Sequence, residues 1–233
     1  MPDRTYGDRR PAGRLIGVPE HARDVAIGIG RDSLAGTMFV PAKAAGLVIF
    51  AHGTGSGRHS PRNRAVAAEL NVAALSTLLL DLLTSEEEAR DRPTAALRFD
   101  IGLLTERVLN AVDWAAGQPE IAALPIGLFG ASTGGAAALA AAERSLAVRA
   151  VVLRGGRPDL AGDALPGVRA PTLMIVGGED RVVLELNREA CAAMTAQCRV
   201  DVIAGATHLF EEPGALEQVS RLAADWFARH LRL

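Results

Sequence analysis

The residue types that can do chemistry gather around one serine. Pro125–Gly135 reads PIGLFGASTGG: an apolar run, then Gly130-Ala131-Ser132-Thr133-Gly134, then an Ala-rich stretch. A sharp strand-to-helix turn strains its central residue and crowds its neighbours, so the positions two before and two after must be small. Ser132 would then stand at a helix N-terminus, where unpaired N–H groups and the helix dipole favour developing negative charge. Such a serine can attack a carbonyl carbon. The plainer alternative is a glycine-rich turn capped by Ser132.

A serine hydroxyl is a weak nucleophile without a base. Of the five histidines, His21 lies in a polar N-terminal region, His59 in a loop, and His230 near the end of the last helical segment. His52 directly follows an apolar run, in His52-Gly-Thr-Gly-Ser-Gly57, where it is better placed to brace the loop than to move protons. His208, in Gly205-Ala-Thr-His-Leu-Phe-Glu-Glu212, follows the last strand-like run. Parallel strands all end on one sheet edge, which puts His208 on the edge that carries Ser132. Orienting the imidazole takes an ionised carboxylate. Asp180, in Gly177-Gly-Glu-Asp180, is preferred to Glu179, with Asp159, Asp163, Glu211 and Glu212 as alternatives.

An oxyanion intermediate needs two donors. The N–H of Thr133 follows the nucleophile directly, and Thr54 lies in a glycine-rich loop that can approach a substrate closely. A phosphate cradle is the competing reading of HGTGSG, but the loop lacks the lysine and the spacing of a P-loop. Arg154 and Arg157 bracket two glycines at a strand end, and Arg58 follows the oxyanion loop. Their planar forks suit a carboxylate, so all three are candidate binders of a negatively charged substrate. The alternative is that they pair with Asp159, Asp163 or Glu179 and only hold their loops.

These residues need a scaffold that delivers them to one edge. Gly46–Ala51, Leu75–Leu80, Pro125–Phe129, Arg149–Leu153, Pro171–Val176 and Val200–Ile203 are short apolar runs, the mark of strands buried on both faces. Helical patterns alternate with them at Arg62–Asn71, Asp100–Ala116, Thr133–Arg144, Leu184–Ala196 and Ala215–Leu231. Arg23–Ile29 and Leu34–Val40 alternate like an edge hairpin. The pattern predicts an α/β fold: a doubly wound, mostly parallel sheet with helices on both faces. Residues 23–233 are expected to form one domain, after a polar extension over residues 1–22. Leu82–Ala96 reads as a solvated connection or, alternatively, a flap. Gly155–Ala170 is too short for a lid domain.

Composition narrows the partners. The chain has 233 residues, 49% hydrophobic, with a net charge of −2, which offers no basic footprint for nucleic acid or an anionic membrane. Nothing in residues 1–20 resembles a signal peptide, so the cytoplasm is the expected location. Cys191 and Cys198 are expected to be small core residues rather than a disulfide or metal site.

Taken in order, HGTGSG, GASTGG, GGED and GATHLF resemble the α/β-hydrolase superfamily, and the short loops are most similar to its dienelactone hydrolase branch, over roughly residues 23–232. The resemblance implies a triad of Ser132, Asp180 and His208, with Thr54 and Thr133 as oxyanion donors. One departure stands out: dienelactone hydrolases proper use a cysteine nucleophile, and this chain has Ser132. The implied activity is hydrolysis of a small carboxylic ester, lactone or thioester, without metal or organic cofactor. Acyl transfer to another acceptor, perhydrolysis, and non-catalytic ligand binding on the same fold are the rival readings.

Overall fold

The computed structural model describes residues 22–231. The extension expected over residues 1–22 therefore lies, but for Ala22, outside the described residues, as does His21. Eight strands form one sheet: β1 (Arg23–Ile29), β2 (Asp32–Phe39), β3 (Gly46–Ala51), β4 (Leu75–Leu80), β5 (Ile126–Ala131), β6 (Val148–Arg154), β7 (Thr172–Gly177) and β8 (Cys198–Ile203). Their spatial order is β1-β2-β4-β3-β5-β6-β7-β8. β1 and β2 are an antiparallel edge hairpin, and β2 joins β4 antiparallel. From β4 across to β8 every pairing is parallel.

The helices are α1 (Pro61–Val72), α2 (Ser85–Asp91), α3 (Ile101–Ala116), α4 (Thr133–Arg144), α5 (Arg181–Ala193) and α6 (Ala215–His230). Alternation along each strand splits the core into two layers. On one face Leu128, Val151, Leu153 and Met174 pack with Leu104, Val108 and Val112 of α3 and the alanines of α4. On the other, Phe129, Val152 and Ile175 meet Val66 and Leu70 of α1 and Val219, Trp226 and Phe227 of α6. The fully buried runs of β3, β4, β5 and β7 are thus explained by cover on both faces.

Strand order reverses between β3 and β5: β3 leads outward to β4, while β5 leads the other way to β6. The loops leaving β3 and β5 therefore diverge and open a crevice at the carboxyl edge, where doubly wound sheets bind ligands.

Two expectations change. Leu82–Ala96 is no simple connection. Leu82 and Leu83 are buried, and α2 starts with a capping box in which Thr84 Oγ1 accepts from Glu87 N–H and Glu87 accepts from Thr84 N–H. Cys191 and Cys198 are not separate core residues: both are half-buried, and they form a disulfide. The turn Met194–Gln197 folds the end of α5 back onto β8 and leaves the two Cα atoms 5.5 Å apart, within the span a disulfide bridges. The pair needs no further partner.

Candidate active site

Ser132 sits between β5 and α4 with φ 50° and ψ −124°, a conformation a serine adopts only where its surroundings impose it. The glycines show how. A Cβ on Gly130 would come within 2.5 Å of Gly135 Cα, and one on Gly134 would strike the carbonyl oxygens of Ala51 and His52. The elbow is packed backbone against backbone. Ser132 N–H donates to Arg154 O (3.3 Å), and Ser132 O accepts from the N–H groups of Gly135 (2.9 Å) and Arg157 (3.0 Å).

The residues expected as base and acid, His208 and Asp180, follow the ends of β8 and β7. His208 Nδ1 lies 2.6 Å from Asp180 Oδ2. Of the other carboxylates considered, Asp159 pairs with Arg157, Glu211 with Arg62, and Glu212 with Thr207. The imidazole also lies over Gly155, where a Cβ would be 3.4 Å from its Cε1 and Nδ1. Gly155 follows Arg154, whose carbonyl binds the Ser132 N–H, so one strand end supports both Ser132 and His208.

The His208 loop is held from below by Phe210, which is buried at φ 56°, and from the side by Glu212. Glu212 Oε1 accepts from Thr207 N–H (3.1 Å) and Thr207 Oγ1 (2.6 Å). The Thr207 hydroxyl holds the Glu212 carboxyl below its ordinary range. This bracing role is invisible to a reading that seeks only acids for the histidine.

The oxyanion loop is fixed differently. Thr133 N–H, in the first turn of α4, has no intrahelical acceptor. Thr54 N–H is already engaged: it donates to Thr133 Oγ1 at 3.1 Å, and the two hydroxyls lie 3.0 Å apart. Gly53 presses on the elbow, since a Cβ there would be 2.8 Å from Ser132 Cβ. His52 bridges this loop to the next one: its Nδ1 donates to Gly53 O (2.9 Å), and its Nε2 accepts from Leu82 N–H (3.0 Å). Burial lowers its pKa, only partly opposed by the Gly53 carbonyl, so the ring is neutral and serves as a strut.

A cavity of about 210 Å³ opens beside Thr133, between the loop His52–Ser56 and a wall formed by Leu82, Leu83 and the Glu88, Asp91 and Arg92 side of α2. A second cavity of about 390 Å³ lies between α1 and the β2–β4 edge, and neither cavity is lined by Ser132, Asp180 or His208. The smaller cavity is the one that borders Thr133, the residue after Ser132.

The three arginines part company. Arg58 donates to Asp81 (3.1 Å) and Asp24 (2.9 Å), tying the loop before α1 to the sheet edge. Arg157 makes a two-pronged pair with Asp159 (2.8 and 2.7 Å), which raises its pKa. Arg154 is 9% exposed and has no carboxylate partner among the described residues.

A doubly wound sheet, a serine elbow at the switch point, and an Asp–His pair beside it define the α/β-hydrolase fold. Residues 35–232 match the dienelactone hydrolase family, and the chain belongs to that family. It is 52% identical to dienelactone hydrolase from Anabaena variabilis ATCC 29413, whose crystal structure superposes with a TM-score of 0.89 over 91% of this chain and 99% of that one. Est1E from Butyrivibrio proteoclasticus shares the fold (17% identity, TM-score 0.75, 89% of this chain and 98% of that one). A Mycobacterium tuberculosis (strain ATCC 25618 / H37Rv) protein bearing the name "Putative phosphoribosyl transferase" is 54% identical over 98% of this chain, which spans 52% of that protein's length.

Proposed function

We propose that this chain hydrolyses small carboxylic esters through an acyl-enzyme on Ser132. The observation that carries the reading is the strained Ser132 elbow on the same sheet edge as the Asp180–His208 pair. With Nδ1 committed to Asp180, His208 has Nε2 left to take the serine proton as Oγ bonds to the carbonyl carbon. The N–H of Thr133 then faces the developing oxyanion, joined by Thr54 N–H once it leaves Thr133 Oγ1. The tetrahedral species collapses as the alkoxide takes the proton from His208 and departs as an alcohol. Water, deprotonated by His208, then releases the acid.

No step requires a metal or organic cofactor. Lactones and thioesters follow the same course. The cavity of about 210 Å³ favours short acyl chains, because each added methylene gains about 0.8 kcal/mol only where there is apolar wall to bury it. The phosphoribosyl transferase name belongs to a protein almost twice as long, and this half offers no phosphate loop of the P-loop kind. No helix among the described residues is long and apolar enough to cross a membrane, and we place the enzyme in the cytoplasm.

A fluorophosphonate probe followed by a panel of esters of increasing acyl length tests this. Labelling at Ser132 with hydrolysis of short esters is expected. An unlabelled protein that binds ligands without turnover would replace the enzyme with a receptor.

A further inference from the structure

The charge that the triad leaves unexplained is Arg154. It ends β6 on the face shared with Val152, beneath the first turn of α1, and is nine-tenths buried. Its Nη2 donates to Asn63 Oδ1 at 3.2 Å, while Nε and Nη1 are buried without a partner. A buried guanidinium normally faces a carboxylate, since an uncompensated charge is costly to desolvate. Here the charge that acts on it is another cation, Arg62, whose own Nε is also buried and unpartnered among the described residues. Burial, with a smaller push from Arg62, lowers the Arg154 pKa to about 10, so Arg154 stays charged at neutral pH.

Arg62 and Asn63 lie in the first turn of α1, capped by Ser60, where backbone N–H groups add positive potential. Among the described residues the one carboxylate paired with this cluster is Glu211, on Arg62, so Arg154 is left without an anion. Arg62 reaches outward to Glu211 (3.1 Å), three residues beyond His208, and that pair is exposed enough to open readily.

Building on the hydrolase reading, we infer that Arg154, Arg62 and Asn63 form a subsite for an oxyanion group, carboxylate or phosphate, carried by the substrate. When the group arrives, Glu211 gives up Arg62 and the ligand takes its place against both arginines. The subsite adjoins the reacting centre, because the Arg154 carbonyl binds Ser132 N–H and the next residue, Gly155, supports His208. Selectivity would then come from the α1 side of the crevice rather than from Arg58 or Arg157, which their own aspartates already satisfy.

Asn63→Asp is the decisive variant. It is isosteric, suits a helix N-terminus, and supplies the missing negative charge internally. Thermal unfolding of the full chain in inorganic phosphate, against chloride at equal ionic strength, should show phosphate raising the Tm of the wild type. The rise should vanish in Asn63→Asp and saturate at lower phosphate in Glu211→Gln. It should persist in Ser132→Ala, which separates failure of the subsite from failure of the esterase reading. Matched short esters, neutral, carboxylated and phosphorylated, should show kcat/KM at least about tenfold higher for one anionic form. That ratio should fall toward one in Asn63→Asp, and the preferred form identifies the anion. Equal kcat/KM for all three esters, or a phosphate effect that survives Asn63→Asp, would overturn the inference.

Discussion

The two rims of the crevice are built by different means. On the β7–β8 rim, backbone does most of the holding of Asp180 and His208: Glu179 N–H donates to Ala206 O (3.0 Å), Gly178 N–H to Ile203 O (2.8 Å), and a Cβ on Gly177 would collide with the carbonyls of Ala206 and Thr207. On the β3–β4 rim, side chains do the holding. His52 ties the oxyanion loop to Leu82, Thr133 ties it to Thr54, Arg58 binds Asp81, Arg98 binds Asp91, and Arg107 binds Glu87. A backbone lattice fails only when packing fails. A lattice of side chains can be loosened one bond at a time, and it responds to pH and salt. Substitutions on the first rim should therefore act through lost chemistry, and those on the second through graded loss of position.

The largest expected effects fall where chemistry and backbone meet. Ser132→Ala removes the nucleophile and relieves no packing, so kcat should drop by about 10⁴–10⁶ with little change in stability. Retention of more than a tenth of the activity would unseat the elbow. Asp180→Asn keeps the shape but leaves the imidazole tautomer unsupported, for a loss of about 10⁴ in kcat. Glu179→Gln, one residue away, should do far less. The reverse ranking would move the acid and break the contrast between the rims at its firm end.

That firm end is also the part most legible in sequence. GLVIFA and PTLMIV announce strands buried on both faces, and parallel strands deliver their trailing loops to one edge, so residue order alone places Asp180 and His208 there. The other rim is harder to read. α2 is short, polar and almost without apolar periodicity; its one signal is Thr84 three residues before Glu87. The Cys191–Cys198 bond depends on how a turn folds α5 back onto β8, which spacing alone does not reveal. Arg154 carries a signal beyond its charge: ending an apolar strand, it shares a face with Val152 and so has to point inward. Arg157 lies three residues on, beyond the strand, with Asp159 in reach.

A smaller effect sharpens the comparison. Thr133→Val keeps the shape of the side chain and removes the hydroxyl that accepts from Thr54 N–H. One net hydrogen bond is worth about 1 kcal/mol, so kcat/KM should fall by about fivefold as the loop loosens. A loss beyond about a hundredfold would mean that the hydroxyl itself contacts the oxyanion, as removing a donor does. A gain would mean that freeing Thr54 N–H for the oxyanion outweighs the loosening of the loop. Either result would revise how the β3–β4 rim is held.

The smallest effect tests whether this rim answers to pH. His52 is held neutral by burial, and its Nε2 must be unprotonated to accept from Leu82 N–H. Its folded pKa is below the ordinary 6.5, so on acidification the unfolded chain binds this proton before the folded one does. The His52 contribution is therefore complete above pH 6.5 and is lost as pH falls from there through the folded pKa. His52→Gln can still donate and accept but cannot titrate in this range. Thermal unfolding of both proteins between about pH 5 and 8 should give a Tm gap that narrows on acidification, because the wild type alone loses this term. A gap that stays constant or widens would show that His52 does not couple the two loops through its neutral ring, and the pH response of the β3–β4 rim would have to come from its ion pairs.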